Sequence, residues 1–214
     1  MVDGAHTPGQ LDLTALLPGL DCDVYIANMH KWAFSPTSAA FLWVNPHCKS
    51  RSRFHHPIVS HCNGLGFKAE VAMLGTRDYS AILTVPAGIT FLESLGGVRA
   101  VSARNADLCG RAVAMLAVAW GTEEHIPYKH PASSMGMVGC PPVLGDSIED
   151  GEALRLGLRA QGIVVQKMVP IEGDRLYMRV SCAVYNDWTE IEVLRDAVLD
   201  AAAKCSRSSV SGVA

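Results

Sequence analysis

The chain has 214 residues, of which 49% are hydrophobic and 18% charged, and its formal net charge is -3. The weak negative charge and the scattered lysines and arginines argue against a surface for nucleic acid or anionic membranes. No apolar run approaches the roughly 20 residues that cross a bilayer, and the first residues lack the pattern of a signal peptide. We therefore expect a soluble, cytoplasmic protein that acts on a small molecule and binds neither nucleic acid nor membrane.

The seven cysteines are odd in number and never form a C-x-x-C pair. This usage favours neither a disulfide framework nor a zinc ribbon. We expect reduced thiols in a reducing compartment.

Short β-rich runs alternate with longer helical patterns in the first half of the chain, which is typical of an α/β or α+β protein. We predict a short helix, two strands joined by a turn that contains proline, and a long helix kinked at Pro86. These elements lie at 12–18, 22–30, 39–45 and 79–97. Asp78 is expected to cap the long helix, and Gly96 and Gly97 to end it.

In the second half of the chain, the sequence pattern predicts a helix, a strand, an amphipathic helix, a hairpin and a last helix. They lie at 98–120, 133–143, 149–162, 163–170 paired with 175–182, and 187–205. We place a domain boundary at the glycine pair, which gives a domain at 1–97, a smaller domain at 98–205 and a disordered tail at 206–214.

Asp3 and Lys31 each follow a predicted strand. If the two strands are parallel and joined by a short crossover, both residues lie at the carboxyl edge of the sheet, where open α/β folds bind ligands. Pyridoxal phosphate requires such a pair, because a lysine holds its aldehyde and a carboxylate keeps its pyridine nitrogen protonated. On spacing alone, the two residues are more readily explained as unrelated to each other.

Four segments, in order along the chain, resemble the class V aminotransferase family of fold-type I pyridoxal-phosphate enzymes. More narrowly they are similar to its isopenicillin-N-epimerase-like branch, which includes plant-type L-cysteine desulfhydrases. The segments are DGAHTPG at 3–9, DVYIANMHKW at 23–32 followed by AAFLWV, GTRDYS at 75–80 and YMRVSCAVYND at 177–187. The resemblance runs from residue 2 to about residue 200. It implies the C-terminal part of this α/β fold, with a partial large-domain sheet and an α+β small domain.

The resemblance assigns roles to residues around the cofactor. It implies that Lys31 forms the Schiff base and that His30 lies near the phosphate. It implies that Asp3 pairs with the pyridine nitrogen and that His6 lies beside the ring and its phenolic oxygen. Many family members have Ser or Thr where this chain has Asn28, so the phosphate contact at that position differs from the family pattern.

Two further positions, far from Lys31 in the sequence, match family residues that bind the cofactor or the substrate. Thr76 matches a residue that reaches the phosphate of the neighbouring subunit's cofactor, which implies a homodimer. Arg179 matches the arginine that binds the substrate α-carboxylate, a role suited to a planar bidentate donor. As an alternative, Arg179 is a surface residue on an antiparallel strand and Thr76 a turn residue.

The segment FHHPIVSHC offers a rival chemistry, because its three histidines and Cys62 are competent zinc ligands. Neighbouring His55 and His56 point apart on an extended chain, and no second ligand pair has the usual spacing. We therefore predict no metal site. The resemblance instead places His55 and His56 in an active-site loop that contacts substrate.

The residues indicate the cofactor more clearly than they indicate the reaction. We see no motif that carries the mobile cysteine which cysteine desulfurases need, and this favours β-elimination of L-cysteine to sulfide, pyruvate and ammonia. Epimerisation or another class V reaction is the alternative. A third reading is a non-catalytic fragment that pairs with a full-length relative.

The position of Asp3 so near residue 1 is unusual for this family, in which several strands precede the matching aspartate. We therefore expect the chain to correspond to the C-terminal part of a longer enzyme. Residues 1–214 alone are expected to bind pyridoxal phosphate weakly and to turn over cysteine slowly or not at all, because positioning groups are missing.

Overall fold

The computed structural model describes most of the chain. The described ranges are 1–48, 57–72, 75–122, 133–171 and 175–211. They divide into two units, Met1–Val101 and Ser102–Ala214. The predicted boundary at residue 97 coincides with the start of a helix that continues from the first unit into the second, and it stays a prediction.

A three-stranded sheet forms the centre of the first unit. Strand β1 (Val2–Asp3) pairs in parallel with β2 (Val24–Asn28), and β2 pairs antiparallel with β3 (Ala40–Val44). The helix α1 (Leu13–Leu16) lies between β1 and β2 in the chain, and its first turn is capped by the Asp12 carboxylate, which accepts from the Ala15 N–H at 3.3 Å. The predicted parallel pair with a short helical crossover is confirmed.

In the described part of the first unit, short helices follow the sheet. They are α2 (Phe67–Ala72), α3 (Ser80–Leu83) and α4 (Val85–Ser94). The predicted long helix is interrupted at Thr84, two positions before the predicted kink at Pro86, because proline is accommodated in the first turn of α4 rather than inside a continuous helix. Asp78 accepts from the Ser80 N–H at 2.8 Å, but the residue at the cap position of α3 is Tyr79.

The second unit combines long helices with a second sheet, and this sheet is antiparallel. Helix α5 (Gly97–Trp120) is followed by β4 (Met135–Gly139), α6 (Ile148–Ala160), β5 (Val169–Pro170), β6 (Leu176–Ser181) and α7 (Trp188–Ser211). The strand order is β4-β6-β5, and both pairs are antiparallel. The predicted hairpin is present, although only two residues of its first run pair with β6.

Both units have an apolar core. In the first unit the buried side chains include Val24, Tyr25, Ala27, Ala33 and Leu92. In the second, α5, α6 and α7 pack their apolar faces on the sheet, and the fully buried set includes Val113, Leu116, Val138, Leu158, Leu176, Met178 and Val198. The predicted α/β class is confirmed.

Helix α7 extends to Ser211, beyond the predicted helix end at residue 205, and the predicted disordered tail stays a prediction. Two side chains support the added turn by donating to carbonyls one turn back: the Ser206 hydroxyl to Ala202 at 3.1 Å and the Arg207 Nε to Ala203 at 3.2 Å. Residues 212–214 lie outside the described residues.

Among the described residues, no single helix is both long and apolar enough to span a membrane. The bent pair Ser80–Ser94 and Gly97–Trp120 passes that test only by length and composition.

Candidate active site

Residues 29–35, which we call the lysine turn, connect β2 to the segment before β3. The turn opens with the Met29 N–H donating to the Ala39 carbonyl at 2.9 Å. Within it Phe34 has a φ of 55°, which is uncommon for a residue other than glycine. The Phe34 ring packs edge-on against Phe91 of α4, with ring centroids 4.9 Å apart, and this contact helps to hold the strained residue. Lys31 is exposed at this turn.

Two glycines let other segments approach the backbone of the lysine turn. A Cβ placed on Gly9 would lie 2.2 Å from the Trp32 carbonyl oxygen, and Gly9 also has a φ of +83°. A Cβ on Gly88 of α4 would lie 2.6 Å from the Ala33 carbonyl oxygen. Neither position accepts a side chain without displacing backbone, so the turn is held between the segment after β1 and α4.

The segment after β1, residues 3–9, is fixed to β2 in a similar way. The Gly4 N–H donates to the Ile26 carbonyl at 2.8 Å, and a Cβ on Gly4 would lie 2.1 Å from the ring and hydroxyl of Tyr25. The Thr7 hydroxyl donates to the Gly4 carbonyl at 2.7 Å and is also bonded to the buried Tyr25 hydroxyl. Since the single Thr7 proton is already used, Tyr25 is the donor of that pair.

The register of β1 and β2 places Asp3 opposite Ile26, so that Asp3 ends one parallel strand while Lys31 follows the end of the other. Asp3 is exposed, and its Oδ1 accepts from the Ala5 N–H at 2.9 Å. This local bond fixes the carboxylate at the strand end and leaves lone pairs for another donor.

A three-residue contact joins the two segments. The Nζ of Lys31 lies 3.1 Å from Nε2 of His6, and the indole N–H of Trp32 donates to Nδ1 of His6 at 3.2 Å. The His6 carbonyl is in turn held by the Gln10 amide at 2.8 Å. Of the cofactor residues predicted from the sequence, the structure brings Lys31 and His6 into direct contact.

His30 and Asn28 are also placed near the end of β2. His30 is half-buried, and its Nδ1 is buried without a hydrogen-bond partner among the described residues. Such an atom is costly unless a ligand or water completes it. Asn28 is the last residue of β2 and pairs with Ala40 of β3.

Thr76 is exposed in the segment before α3. Thr76 therefore precedes the N-terminus of α3 in the chain. The contact with a neighbouring subunit that the resemblance implies for Thr76 stays a prediction.

Arg179 lies on β6 in the second unit, opposite Met137 of β4. Its Nε is buried and has no hydrogen-bond partner in the part of the chain that the structure describes. A guanidinium with an unused buried donor is suited to an anionic ligand.

The predicted substrate residues His55 and His56 lie outside the described residues. Of the rival zinc ligands, His61 is exposed and Cys62 half-buried. Within the described ranges, no group of three or more His, Cys, Asp or Glu side chains could hold a metal ion.

A cavity of about 870 Å³ in the first unit has a mainly apolar lining, with the Asp12–Arg99 ion pair among its polar groups. Its lining includes Met29 and Ala33 of the lysine turn but none of Asp3, His6, His30 and Lys31. The size of the cavity is therefore no evidence that it belongs to the candidate site around Lys31.

The sequence analysis missed the partner of His6 and the glycines that hold the turn. Trp32 directly follows Lys31 in the printed sequence, and an indole N–H beside a candidate site is a signal that could have identified it. Gly88 lies in a helix far along the chain, and no local pattern relates it to the lysine turn.

The first comparison is with known sequences. No protein-family model matches the chain. A putative L-cysteine desulfhydrase 1 from Oryza sativa subsp. japonica is 37% identical over 214 residues, which cover 92% of this chain and 44% of that protein. Isopenicillin N epimerase from Streptomyces clavuligerus is 33% identical over 217 residues, which cover 92% of this chain and 51% of that protein. The chain spans about half the length of the curated relatives it matches.

The second comparison is with solved structures. The apo structure of a cysteine desulfurase from Thermococcus onnurineus NA1 matches with a TM-score of 0.69 and 17% identity, over 95% of this chain and 52% of that one. The complex of the cystine C-S lyase C-DES with its product cysteine persulfide matches with a TM-score of 0.64 and 18% identity, over 91% and 50%. These matches show the fold and confirm the predicted fold class.

The resemblance found in the sequence is therefore confirmed: the chain is homologous to proteins named L-cysteine desulfhydrase and isopenicillin N epimerase, and it has the fold of class V, fold-type I pyridoxal-phosphate enzymes over about half of their length.

Proposed function

We propose that this chain binds pyridoxal phosphate through Lys31 and acts, as part of a carbon-sulfur lyase, on L-cysteine. The observation that carries the proposal is the placement of Lys31 beside His6 at the ends of two parallel strands, within 3.1 Å. The similarity to L-cysteine desulfhydrases over 92% of the chain supports the substrate.

The side chains at this edge fit the cofactor. Lys31 offers an exposed primary amine for the aldehyde, and Asp3 offers a carboxylate for the pyridine nitrogen. The unpaired buried Nδ1 of His30 is a polar atom that a phosphate or an ordered water would complete. We assign His6 to the ring, Asn28 to the phosphate, and Thr76 to the phosphate in a neighbouring subunit.

When bound, pyridoxal phosphate withdraws electrons from the carbon next to the amino group of an amino acid. The chain itself would supply the proton carrier, and Lys31, a primary amine at this edge of the sheet, is the candidate base for the α-proton. His6 positions the Lys31 nitrogen. The Asp3 carboxylate stabilises positive charge on the pyridine nitrogen.

The proposed reaction converts L-cysteine and water to sulfide, pyruvate and ammonia. The carbon-sulfur bond breaks with its electron pair on sulfur, and water later hydrolyses the enamine product, so no external oxidant or reductant is needed. We assign the α-carboxylate to Arg179, whose buried Nε lacks a partner in the described part of the chain. We also assign His55 and His56 to substrate contacts.

A homodimer in the cytoplasm completes the proposal. Several apolar side chains of α3 and α4 are exposed in the single chain, and burying them in a second copy would be favourable. They include Ile82, Leu83, Ile89 and Phe91. None of the seven cysteines is in a disulfide, which fits a reducing compartment.

Epimerisation is the second candidate, favoured by the 33% identity to isopenicillin N epimerase. It uses the same removal of the α-proton but returns a proton to the opposite face. Exchange of the α-proton for deuterium without sulfide release would favour it over elimination.

The experiment combines binding with product analysis. Purified chain is titrated with pyridoxal phosphate while visible absorbance is recorded, and L-cysteine is then added while sulfide and pyruvate are measured. We expect an absorbance band that Lys31→Ala abolishes and Lys68→Ala retains, and any sulfide and pyruvate released should be in equal amounts. A band that survives in Lys31→Ala would contradict the proposal.

A further inference from the structure

Trp32 is the residue that determines which nitrogen of His6 faces Lys31. Its indole N–H donates to His6 Nδ1 at 3.2 Å, with hydrogen-bond geometry. Indole nitrogen is a donor only, so the contact requires His6 Nδ1 to be an acceptor. An imidazole nitrogen that accepts carries no proton. The ring is therefore neutral with its proton on Nε2.

The consequence reaches Lys31, whose Nζ lies 3.1 Å from Nε2 of His6. With the proton on Nε2, the N–H of His6 faces the lysine nitrogen. A hydrogen bond from this N–H needs an acceptor, and the free amine that attacks an aldehyde has a lone pair for it.

We infer that Trp32 is a positioning residue, which fixes His6 as its Nε2–H tautomer and so directs that N–H to the nitrogen of Lys31. The inference deepens the proposed function, since it rests on Lys31 being the amine that binds the aldehyde. Trp32 acts through His6.

The backbone around Trp32 is suited to this role. Its carbonyl lies against Gly9, where a Cβ would approach to 2.2 Å, and the neighbouring Ala33 is buried against Gly88. The His6 carbonyl is held by Gln10 at 2.8 Å. Because the backbone is held at both residues, the indole N–H and its acceptor stay within hydrogen-bond distance.

The test uses nuclear magnetic resonance on the cofactor-free 214-residue chain labelled with nitrogen-15. Long-range proton-nitrogen correlations distinguish the two imidazole tautomers, and a scalar coupling across the hydrogen bond joins Trp32 Nε1 to His6 Nδ1. His6→Asn identifies the His6 signals by their loss. We expect the Nε2–H tautomer and a measurable coupling in the wild type. An Nδ1–H tautomer, or no coupling, in the wild type would overturn the inference.

The matched variants are Trp32→Phe, which removes the N–H and keeps an aromatic ring, and Trp43→Phe on β3 as the control. Trp32→Phe should shift His6 toward the Nδ1–H tautomer and slow formation of the Lys31 adduct with pyridoxal phosphate about fivefold, as expected for losing one neutral hydrogen bond. Trp43→Phe should change neither. An unchanged tautomer in a folded Trp32→Phe would overturn the inference.

The same experiments separate this inference from the proposed function. The tautomer and the coupling are measured without cofactor, so they stand if pyridoxal phosphate fails to label Lys31. In that case the function is wrong and the His6 tautomer is unaffected. If Lys31 is labelled but His6 carries its proton on Nδ1, the positioning role is wrong and the function stands.

Discussion

The Nζ of Lys31 lies 3.1 Å from Nε2 of His6, although 25 positions separate the two residues in the chain. The contact exists because β1 and β2 are parallel, so that the segments that follow them begin at the same edge of the sheet. The glycines on both sides of the lysine turn bring those segments close enough for the two nitrogens to meet. The relationship gives rise to tests of the site and of the scaffold that holds it.

Gly4→Ala should destabilise the first unit. The new Cβ would lie 2.1 Å from the Tyr25 ring, which is only 2% exposed and cannot move into solvent. We expect a loss of roughly 1 to 3 kcal/mol in the free energy of unfolding, as for other overpacked cores. Urea unfolding followed by circular dichroism measures it.

Gly19→Ala is the matched control for Gly4→Ala, because nothing lies within 4 Å of a Cβ built at that position. The control should unfold at nearly the wild-type urea concentration. Equal urea midpoints for Gly4→Ala and the wild type would contradict the prediction. They would show that the Tyr25 ring makes room for the new Cβ without loss of stability.

Arg179→Ala should weaken the binding of the amino acid and leave the reaction of Lys31 with pyridoxal phosphate unchanged. Losing a charge-assisted pair with a carboxylate costs roughly 2 to 5 kcal/mol. Titration of the cofactor-loaded chain with L-cysteine, followed in the visible spectrum, measures the change. Arg159→Ala, at the exposed end of α6, is the control, and unaltered affinity in Arg179→Ala would remove this residue from the site.

Asp150 should make the second unit sensitive to acid. The Ser147 hydroxyl donates to its carboxylate at 2.6 Å, and this bond together with the Ser147 N–H holds the pKa of Asp150 below its ordinary value of 3.8. Because the pKa is lower in the folded chain, the contribution to stability is complete above pH 3.8 and is lost as the pH falls through the folded-state pKa.

The variant Asp150→Asn tests that dependence. The difference in urea midpoint between wild type and Asp150→Asn should be largest near pH 7 and should shrink as the pH is lowered below 3.8. A difference that stays constant down to pH 2 would mean that the capping interaction does not titrate.

Cys140 should resist alkylation in the folded protein. Its side chain is fully buried in the core of the second unit, and burial raises the pKa of its thiol to about 12. Since the thiolate is the reactive form, iodoacetamide at pH 8 should modify the exposed Cys205 and leave Cys140 unmodified until urea is added. Peptide mass spectrometry reads out both sites. Modification of Cys140 at the same rate as Cys205 would indicate that the core opens readily.

Local patterns were sufficient for most of the secondary structure. The β-branched run that became β2 and the capped amphipathic run that became α6 carry their own periodicity and end signals. The extent of α7 was misjudged because small polar residues suggest a frayed end. In the structure, side chains such as Ser206 donate back to the helix and prolong it.

The candidate site was predictable only in part. The parallel pairing of β1 and β2 followed from two strands with a short crossover, so the shared edge for Asp3 and Lys31 could be anticipated. The approach of Trp32 to His6 depends on backbone packing around Gly9 and Gly88, which are distant in sequence, and no periodic pattern encodes such a contact. The resemblance supplied residue roles that spacing alone left open.

Reductive trapping tests the central claim most directly. The chain is incubated with pyridoxal phosphate, reduced with borohydride and digested, and the modified peptide is identified by mass spectrometry, with Lys68→Arg as a control that should keep the label and Lys31→Arg as the variant that should lose it. The account predicts a pyridoxyl group on Lys31. A label on Lys68 or Lys167 in place of Lys31, or no labelled lysine at all, would contradict it.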